Sequence, residues 1–487
     1  MNAFGTTTLA ALMAAMPATT PTNVGTAFDP ASLEGVWDVT NSAEIIAVGK
    51  NEVVYYDSTS ASCIETDRGP VAHLLERFGG RLVARDTATA TLSDRTGYLY
   101  QLSRLDALPA LCARGGTTGA DPVLNFESFI SYFRENYAGD ALRHLDWQAI
   151  HDEFRPRVTA RTTTDELWKV YAEILARFDD VHVFVSNGKQ GTEGRSLSAG
   201  RPSGLRKALI VQDPKRSEDD GFALDAKLAP LLDNVILFEV LRGRFSTDLQ
   251  GKFQWGWATP EIGYLNIQQM SGLFAKPATD PAVVAPAVRE TMRKVIKEFG
   301  TAKALILDVR QNRGGADAVS SAVAAVFADR PVTSKSRTRT RSGFTDWESD
   351  TVQPDPSNHF DKPVYLLISD NTVSAAESFV SIMRQYPTVT LVGTTTRGAL
   401  SAILVKKLPD GSILGLSDMQ FISPAGVNYE TKGIPPDIHV ESYQPECLFT
   451  CYKQAIDVAV KLALARSASA GGHGQSNFNM ARKLQRH

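Results

Sequence analysis

Ser374 lies at a position in the sequence that suits a nucleophile. It follows the apolar run Val364 to Ile368, which predicts a buried strand, and the polar turn 369–373; a helical pattern begins at Ala375. Open α/β sheets bind ligands at the carboxyl ends of their strands. The N–H groups at a helix start lack helical partners, and they favour the negative charge that develops on an attacked carbonyl. A serine here also suits a helix N-cap, so this segment alone leaves both roles open.

Two adjacent glycines occur in a similar place in a second stretch. The strand-like run Ala304 to Val309 is followed by Arg310-Gln311-Asn312-Arg313-Gly314-Gly315, and then by a helical pattern. Glycine allows the backbone to approach a ligand closely. The N–H of Gly314 or Gly315 is therefore a candidate partner for that of Ala375 in an oxyanion hole. The alternative is a tight turn between a strand and a helix.

Four motifs in order carry a resemblance to a known family. They are LDVRQNRGG, VSAAE, VGTTTRG and GVNYETKGIPPDIHV. Together they resemble the signature of the C-terminal-processing and tricorn-core serine peptidases, over roughly residues 121 to 445. The resemblance implies an α/β fold with a ClpP/crotonase-like peptidase core. It also implies a serine-type peptidase that hydrolyses peptide bonds through an acyl-enzyme on Ser374, with a peptide or protein as substrate and with no cofactor and no metal.

The general base is where this chain departs from the processing peptidases. Those enzymes use a lysine just after a glycine in the loop that follows the second strand. Here the loop reads Thr396-Arg397-Gly398-Ala399, so Ala399 occupies the lysine position. Arg397 cannot replace the lysine because a guanidinium stays protonated. Lys406 and Lys407 lie on the next strand and look displaced, so a Ser–Lys dyad is not expected.

A histidine base is expected instead. The segment FDDVHVFV resembles the one that carries a histidine base in the branch of the family without the lysine, and it places His182 between a helix and a strand. Imidazole suits a base near neutral pH. The tricorn-like relay adds a serine before the histidine, which is Val181 here, and a late glutamate, at a position that Glu430 resembles. Glu430 either orients the imidazole or is an exposed loop carboxylate.

A second function, from a different class, stays open at this point. The lost lysine and the missing relay serine are compatible with a non-catalytic protein on the same fold that binds an apolar ligand or a peptide. The N-terminal strands carry aromatic residues that either line a ligand cup or belong to the domain core and surface: Trp37, Tyr55, Tyr56, Tyr98 and Tyr100.

The periodicity of the chain predicts a modular organisation. Short alternating runs predict a small β domain, and helical faces follow it, one of which opens with the capping-box spacing of Thr163 and Glu166. Buried strands at 304–309, 364–368 and 389–392 then alternate with amphipathic helices, and Asp410-Gly411 predicts a hairpin turn. Many family members insert a PDZ domain near residues 187–260, but its small-residue pattern is not found there, so we expect none. The predicted segments are a leader or disordered start at 1–29, a small β domain at 30–115, a helical part at 121–190, a connection at 191–260, a catalytic core at 261–445, and a closing helix to Arg466 followed by a disordered tail, together 446–487.

Composition limits the possible partners. The 487 residues carry a net charge of −3, so nothing suggests a nucleic-acid surface, and no apolar run is long enough for a membrane span. The oligomeric state stays open. The four cysteines are compatible with two disulfides in an oxidising compartment or with four buried thiols. We expect a Cys63–Cys112 bridge, and we favour export to the periplasm or outside the cell over a cytoplasmic location. The start of the chain lacks Lys or Arg before its short apolar stretch and makes a poor signal peptide.

Overall fold

The computed structural model of the chain describes residues 26–27, 30–78, 81–86, 88–96, 98–113, 117–187, 195–212, 230–276, 278 and 280–470. Within these residues the architecture is mixed α/β, and the strands form four sheets. The described residues leave out most of the predicted leader and the end of the predicted tail. They also leave out residues 188–194 and 213–229, which fall in or next to the predicted connection. The expected absence of a PDZ domain therefore stays a prediction.

The N-terminal part is an eight-stranded antiparallel sheet in the order β1-β6-β7-β8-β2-β3-β4-β5. Its strands are β1 Thr26–Ala27, β2 Gly35–Val39, β3 Glu44–Val48, β4 Glu52–Ser58, β5 Cys63–Pro70, β6 Arg81–Arg85, β7 Thr89–Ser93 and β8 Leu99–Leu105. Two short helices accompany them, α1 His73–Phe78 and α2 Ala110–Ala113. The strand β5 was not expected from the sequence, because its charged residues are typical of a solvated edge rather than of an apolar alternation.

The aromatic residues of this sheet belong to its interior. Trp37, Tyr55, Tyr56 and Tyr98 are buried, and Tyr100 is half-buried. The interpretation as domain core is therefore the better one, and these side chains offer no open ligand cup. Cys63 at the start of β5 is bonded to Cys112 in α2, which confirms the expected bridge.

A helical segment follows the sheet. Its helices are α3 Pro122–Asn136, α4 Asp140–Arg143, α5 Trp147–Phe154 and α6 Thr164–Leu175. The α6 start is the capping box that the sequence predicted: Thr163 N–H donates to Glu166 Oε2 over 2.8 Å, and Glu166 N–H donates to Thr163 Oγ1 over 3.3 Å. The aromatic face of α3 packs against α5 and α6 in one buried cluster.

The remaining elements form the connection and the core. The strands are β9 Phe184–Ser186, β10 Ser196–Ser198, β11 Ser246–Asp248, β12 Phe253–Thr259, β13 Ile262–Ile267, β14 Ala304–Asp308, β15 Val332–Thr340, β16 Gly343–Phe344, β17 Glu348–Val352, β18 Val364–Ile368, β19 Val389–Gly393, β20 Ile403–Lys407, β21 Ile413–Ser417, β22 Met419–Ile422 and β23 Ile438–His439. The helices are α7 Gly204–Gln212, α8 Pro281–Glu298, α9 Asp317–Ala324, α10 Ala375–Met383 and α11 Leu448–Ala470.

The core is organised by a seven-stranded sheet in the order β11-β12-β13-β14-β18-β19-β23. The three buried strands predicted at 304–309, 364–368 and 389–392 are parallel neighbours in it, as expected. Leu305 and Leu366 face α8, α9 and α10, whereas Ile306 and Leu367 face α7 and α11. Helices therefore cover both faces, and the carboxyl ends of the parallel strands remain as the edge where a site can form.

A smaller sheet explains how a residue near position 182 reaches the core. The hairpin β20–β21, with the predicted Asp410-Gly411 turn, pairs through β21 with β9, and Gly415 lies opposite Phe184. The other small sheet joins β15 to β16, β17 and β22.

The closing helix is longer than the sequence indicated. It was expected to end at Arg466, with a disordered tail from Ser467, but α11 continues to Ala470. Two of the four added residues are alanines, the strongest helix formers. A second disulfide joins Cys447 to Cys451 at the helix start.

Buried ion pairs hold the N-terminal sheet against the core. Lys406 of β20 is 4 % exposed, and its Nζ lies 2.8 Å from Asp57 Oδ1 and 3.5 Å from Glu44 Oε1. On the other side, Arg341 contacts Asp38 over 3.0 Å. Lys406 and Arg77 lower the pKa of Glu44 to about 2 against the opposing effect of its burial. Lys406 is thus a structural cation that links two sheets, away from the lysine position of a Ser–Lys dyad.

Lys406→Ala is therefore expected to lower the free energy of unfolding by about 3–5 kcal/mol, because it leaves the buried carboxylate of Asp57 without its cation, while Glu44 keeps Arg77. Lys407→Ala, at the exposed neighbouring position, is the control. It should change the free energy of unfolding by less than about 0.5 kcal/mol. Denaturant titration followed by fluorescence measures both. Equal stability of the two variants would contradict the structural role of Lys406.

Candidate active site

Ser374 precedes α10 in a backbone conformation that is rare for a side-chain-bearing residue. Its φ is 59° and its ψ is −130°, and its hydroxyl makes no cap hydrogen bond to the helix. Its N–H donates to Ala399 O over 2.9 Å, and its carbonyl accepts from Glu377 N over 2.7 Å. Backbone strain of this kind costs energy and persists only where surrounding contacts impose it. The hydroxyl is thus left for a role other than capping, and Ser374 lines a cleft.

The glycine loop lies directly against this serine. A Cβ at Gly314, whose φ is 91°, would lie 2.7 Å from Ser374 Cβ and 2.9 Å from Ala375 N. Asn312 fixes the loop, because its carbonyl accepts from Val373 N over 3.1 Å and its Oδ1 accepts from Gly314 N over 2.9 Å. Only glycine at position 314 allows this approach.

The loop leaves particular N–H groups available. The Gly314 N–H already donates to Asn312, but in the described part of the chain the N–H groups of Gly315 and Ala375 have no hydrogen-bond acceptor. Two such donors beside a serine hydroxyl can hold a developing oxyanion.

A buried carboxylate fixes the other side of Ser374. Glu377 Oε1 accepts from Thr396 Oγ1 over 2.6 Å and from Gly398 N over 2.7 Å, and its Oε2 accepts from Ala399 N over 2.8 Å. Burial raises the pKa of Glu377 to about 7, although these donors act to lower it. In the structure, Glu377 holds the loop whose Ala399 carbonyl accepts from Ser374.

His182 lies in the turn between α6 and β9 and is 4 % exposed. Its backbone N–H donates to Asp180 Oδ1 over 3.0 Å, and its buried ring atom Nδ1 has no hydrogen-bond partner among the described residues. Within that part of the chain no hydrogen bond joins the ring to Ser374. The expected approach of the two side chains, to about 2.6–3.2 Å or somewhat more in an apo state, thus stays a prediction.

The surroundings of His182 keep its ring neutral. Burial lowers the pKa of His182 to about 4, and the positive charges of Arg143, Arg313 and Arg397 act in the same direction, while Asp180 opposes them. Arg313 precedes Gly314, and Arg397 donates its backbone N–H to Thr372 O, two residues before the serine. The histidine and the serine therefore border the same arginine-rich region.

Glu430 contacts neither side chain within the described residues. Its Oε1 accepts from Arg143 Nη2 over 2.9 Å, and its Oε2 accepts from the N–H groups of Leu400 and Ser401 over 2.7 and 3.2 Å. Arg143 also lies 3.2 Å from Asp180 Oδ2. Glu430 is buried rather than an exposed loop carboxylate, and Arg143 connects it to Asp179 and Asp180, which precede the histidine. Burial raises its pKa.

Sequence reasoning missed Asn312, Arg143 and the loop-holding role of Glu377, because each acts on residues that are remote in sequence. It also missed Asp317 and Asp350, which line the cleft beside Ser374. Searches of the described residues find no group of His, Cys, Asp or Glu side chains arranged to hold a metal ion. Of the helices in that part of the chain, none combines the length and apolar character needed to cross a membrane.

Comparison with known proteins agrees with this geometry. Residues 261–440 match peptidase family S41, and residues 120–176 match the tricorn protease C1 domain. The chain is 31 % identical over 143 residues to a CtpA-like serine protease of Staphylococcus haemolyticus, a match that covers 29 % of this chain and 28 % of that protein. It is 27 % identical over 180 residues to the carboxy-terminal processing protease CtpA of Bacillus subtilis. This match covers 37 % of this chain and 35 % of that protein.

The fold resemblance extends further than the sequence matches. A crystal structure from Parabacteroides merdae, described as that of a peptidase, superimposes with a TM-score of 0.57 at 21 % identity, over 72 % of this chain and 99 % of that one. The matches to the two curated proteases span about a third of their lengths. Over the two matched domains, residues 120–176 and 261–440, the chain is similar to the C-terminal-processing and tricorn-core serine peptidases.

Proposed function

We propose that the protein is a serine peptidase that hydrolyses peptide bonds through an acyl-enzyme on Ser374. The observation that carries the proposal is the strained helix-start conformation of Ser374, with an uncapped hydroxyl against the glycine loop. The residues form a core of repeated strand–helix units, to which we assign the ClpP/crotonase-like arrangement. The match of residues 261–440 to peptidase family S41 supports the same class of reaction.

In the proposed mechanism the Ser374 Oγ attacks the scissile carbonyl carbon while His182 accepts the hydroxyl proton. The carbonyl π electrons move onto oxygen, and the N–H groups of Ala375 and Gly315 hold this oxyanion. When the intermediate collapses, the C–N bond breaks and His182 returns the proton to the leaving amine. Water then attacks the acyl-enzyme in the same way and frees Ser374. One oxyanion donor contributes about 10²–10³ in rate in related chemistry.

Burial and the three arginines around His182 keep its resting ring neutral, so the ring has a lone pair that can accept the proton of Ser374. Glu430 is assigned a positioning role. It holds Arg143 and the loop at residues 400–401, and Arg143 in turn contacts Asp180 beside the histidine.

The substrate is a peptide or a protein. The two disulfides support export to an oxidising compartment, periplasmic or extracellular.

His182→Ala is expected to reduce peptide hydrolysis nearly as far as Ser374→Ala, by roughly 1,000-fold or more, because members of a catalytic unit are not additive. Turnover per folded molecule is the measurement. His359→Ala removes an exposed histidine and should leave turnover unchanged. If the His182 variant retains near-normal turnover, the base is another group.

The pH profile is a separate test of the base. Because the pKa of His182 is lowered to about 4, the acidic limb of kcat/KM should be centred well below 6.5. Between pH 6.5 and 4 the unfolded chain binds a proton at this histidine that the folded chain does not, so stability falls as pH falls through that window. Activity must therefore be expressed per folded molecule. A limb centred near 7 would point to a buried carboxyl such as Glu377 and would contradict the assignment.

Gly314→Ala should lower kcat by about 100-fold, because a new Cβ displaces the nucleophile and its neighbouring oxyanion donor. Gly411→Ala is a matched control: its φ of 88° is close to the 91° of Gly314, but nothing lies within 4 Å of its added Cβ. Both variants carry similar backbone strain, so only steric conflict with Ser374 separates them. Similar kcat values for the two variants would show that the loop does not border the reacting atoms.

A further inference from the structure

A cleft beside Ser374 has two carboxylates in its wall. Asp317 and Asp350 line it together with Ser374. Asp317 is the first residue of α9, and Asp350 lies on β17 opposite Ser334 of β15. The two side chains come from different elements, so the fold brings them together at this place.

Asp350 has no partner that explains its burial. It is 9 % exposed, and its Oδ1 is buried without a hydrogen bond in the described part of the chain. Within the same residues no lysine, arginine or histidine forms an ion pair with Asp317 or Asp350. Burial of an unpaired carboxylate is costly, so such groups normally contact a cation or a donor. The unpartnered oxygen is therefore available to bind a cationic group that enters the cleft.

The ionisation of both groups would respond to such a cation. Burial raises the pKa of Asp350 to about 7, and the negative charge of Asp317 raises it further. Burial also raises the pKa of Asp317 to about 6, although the nearby Ser378 hydroxyl opposes this. A bound cation would reverse these shifts by favouring both carboxylates.

The rest of the wall suits an alkyl chain. Ile382, Leu400, Met419 and Phe421 contribute apolar surface, and serines fill much of the remainder. A lysine or arginine side chain matches such a wall and its two carboxylates, because it buries a methylene stem and ends in a positive charge. A free metal ion would instead need several oxygen ligands and no apolar stem-binding surface.

The position of the cleft indicates which substrate residue enters it. It lies between α9 and α10. Gly315 lies just before α9, and Ala375 is the first residue of α10. The N–H groups of these two residues are the ones assigned to the oxyanion hole. The residue whose carbonyl occupies that hole therefore has its side chain nearest to the cleft.

We propose that this cleft is the specificity pocket of the peptidase and that it selects a lysine or arginine on the acyl side of the scissile bond, with Asp350 and Asp317 binding the cationic group. The inference rests on the proposed function, since it assigns a substrate class to the same site.

The test compares two peptides that are identical except at one residue, which is lysine in one and norleucine in the other. Mass spectrometry of the products gives the cleavage point, and kcat/KM is measured for the wild type, Asp350→Asn, Asp317→Asn and the double variant. The wild type should cleave after lysine and favour that peptide by roughly 100-fold or more. The double variant should lose most of this preference while retaining turnover of the norleucine peptide.

Asp361→Asn removes a carboxylate from an exposed position outside the cleft and should keep the wild-type preference. Cleavage of both peptides at similar rates, or an unchanged preference in the double variant, would overturn the specificity while leaving the peptidase intact. Cleavage on the amino side of the lysine would also overturn it. Ser374→Ala is included because residual hydrolysis by that variant would count against the proposed function itself.

Discussion

The site depends on the buried carboxylate of Glu377. It accepts three hydrogen bonds from the segment 396–399, and the carbonyl of Ala399 then accepts the N–H of Ser374. Hydrogen bonds to a charged group contribute more than neutral ones, and a buried acceptor that loses its donors is costly. This interaction therefore keeps Ser374 in a conformation that an isolated chain would avoid.

The sheets bring the other groups to this point. Parallel pairing of β14 with β18 aligns the ends of both strands, so the glycine loop and Ser374 meet at one edge. Pairing of β9 with β21 carries the His182 turn to the core from an earlier part of the chain. Arg143 then connects that turn to Glu430, because it contacts Asp180 and Glu430 at once. The geometry of the candidate site is a consequence of strand register.

The sequence predicted the parts that local patterns control. Continuous apolar runs identified β14, β18 and β19, and the turn chemistry identified the hairpin at Asp410-Gly411 and the capping box at Thr163. It could not predict contacts set by three-dimensional packing. Glu377 is three residues from Ser374, yet its partners are about twenty residues away. Asp317 and Asp350 form a pair only because α9 and β17 border the same cleft.

The central claim is that Ser374 is an activated nucleophile, and covalent labelling tests it most directly. The wild-type protein is treated with a fluorophosphonate, and the modified peptide is located by mass spectrometry. The account predicts one adduct, on Ser374, that forms in the folded protein and disappears when the protein is unfolded before treatment. An absence of labelling in a folded sample, or an adduct on a different residue, would contradict it.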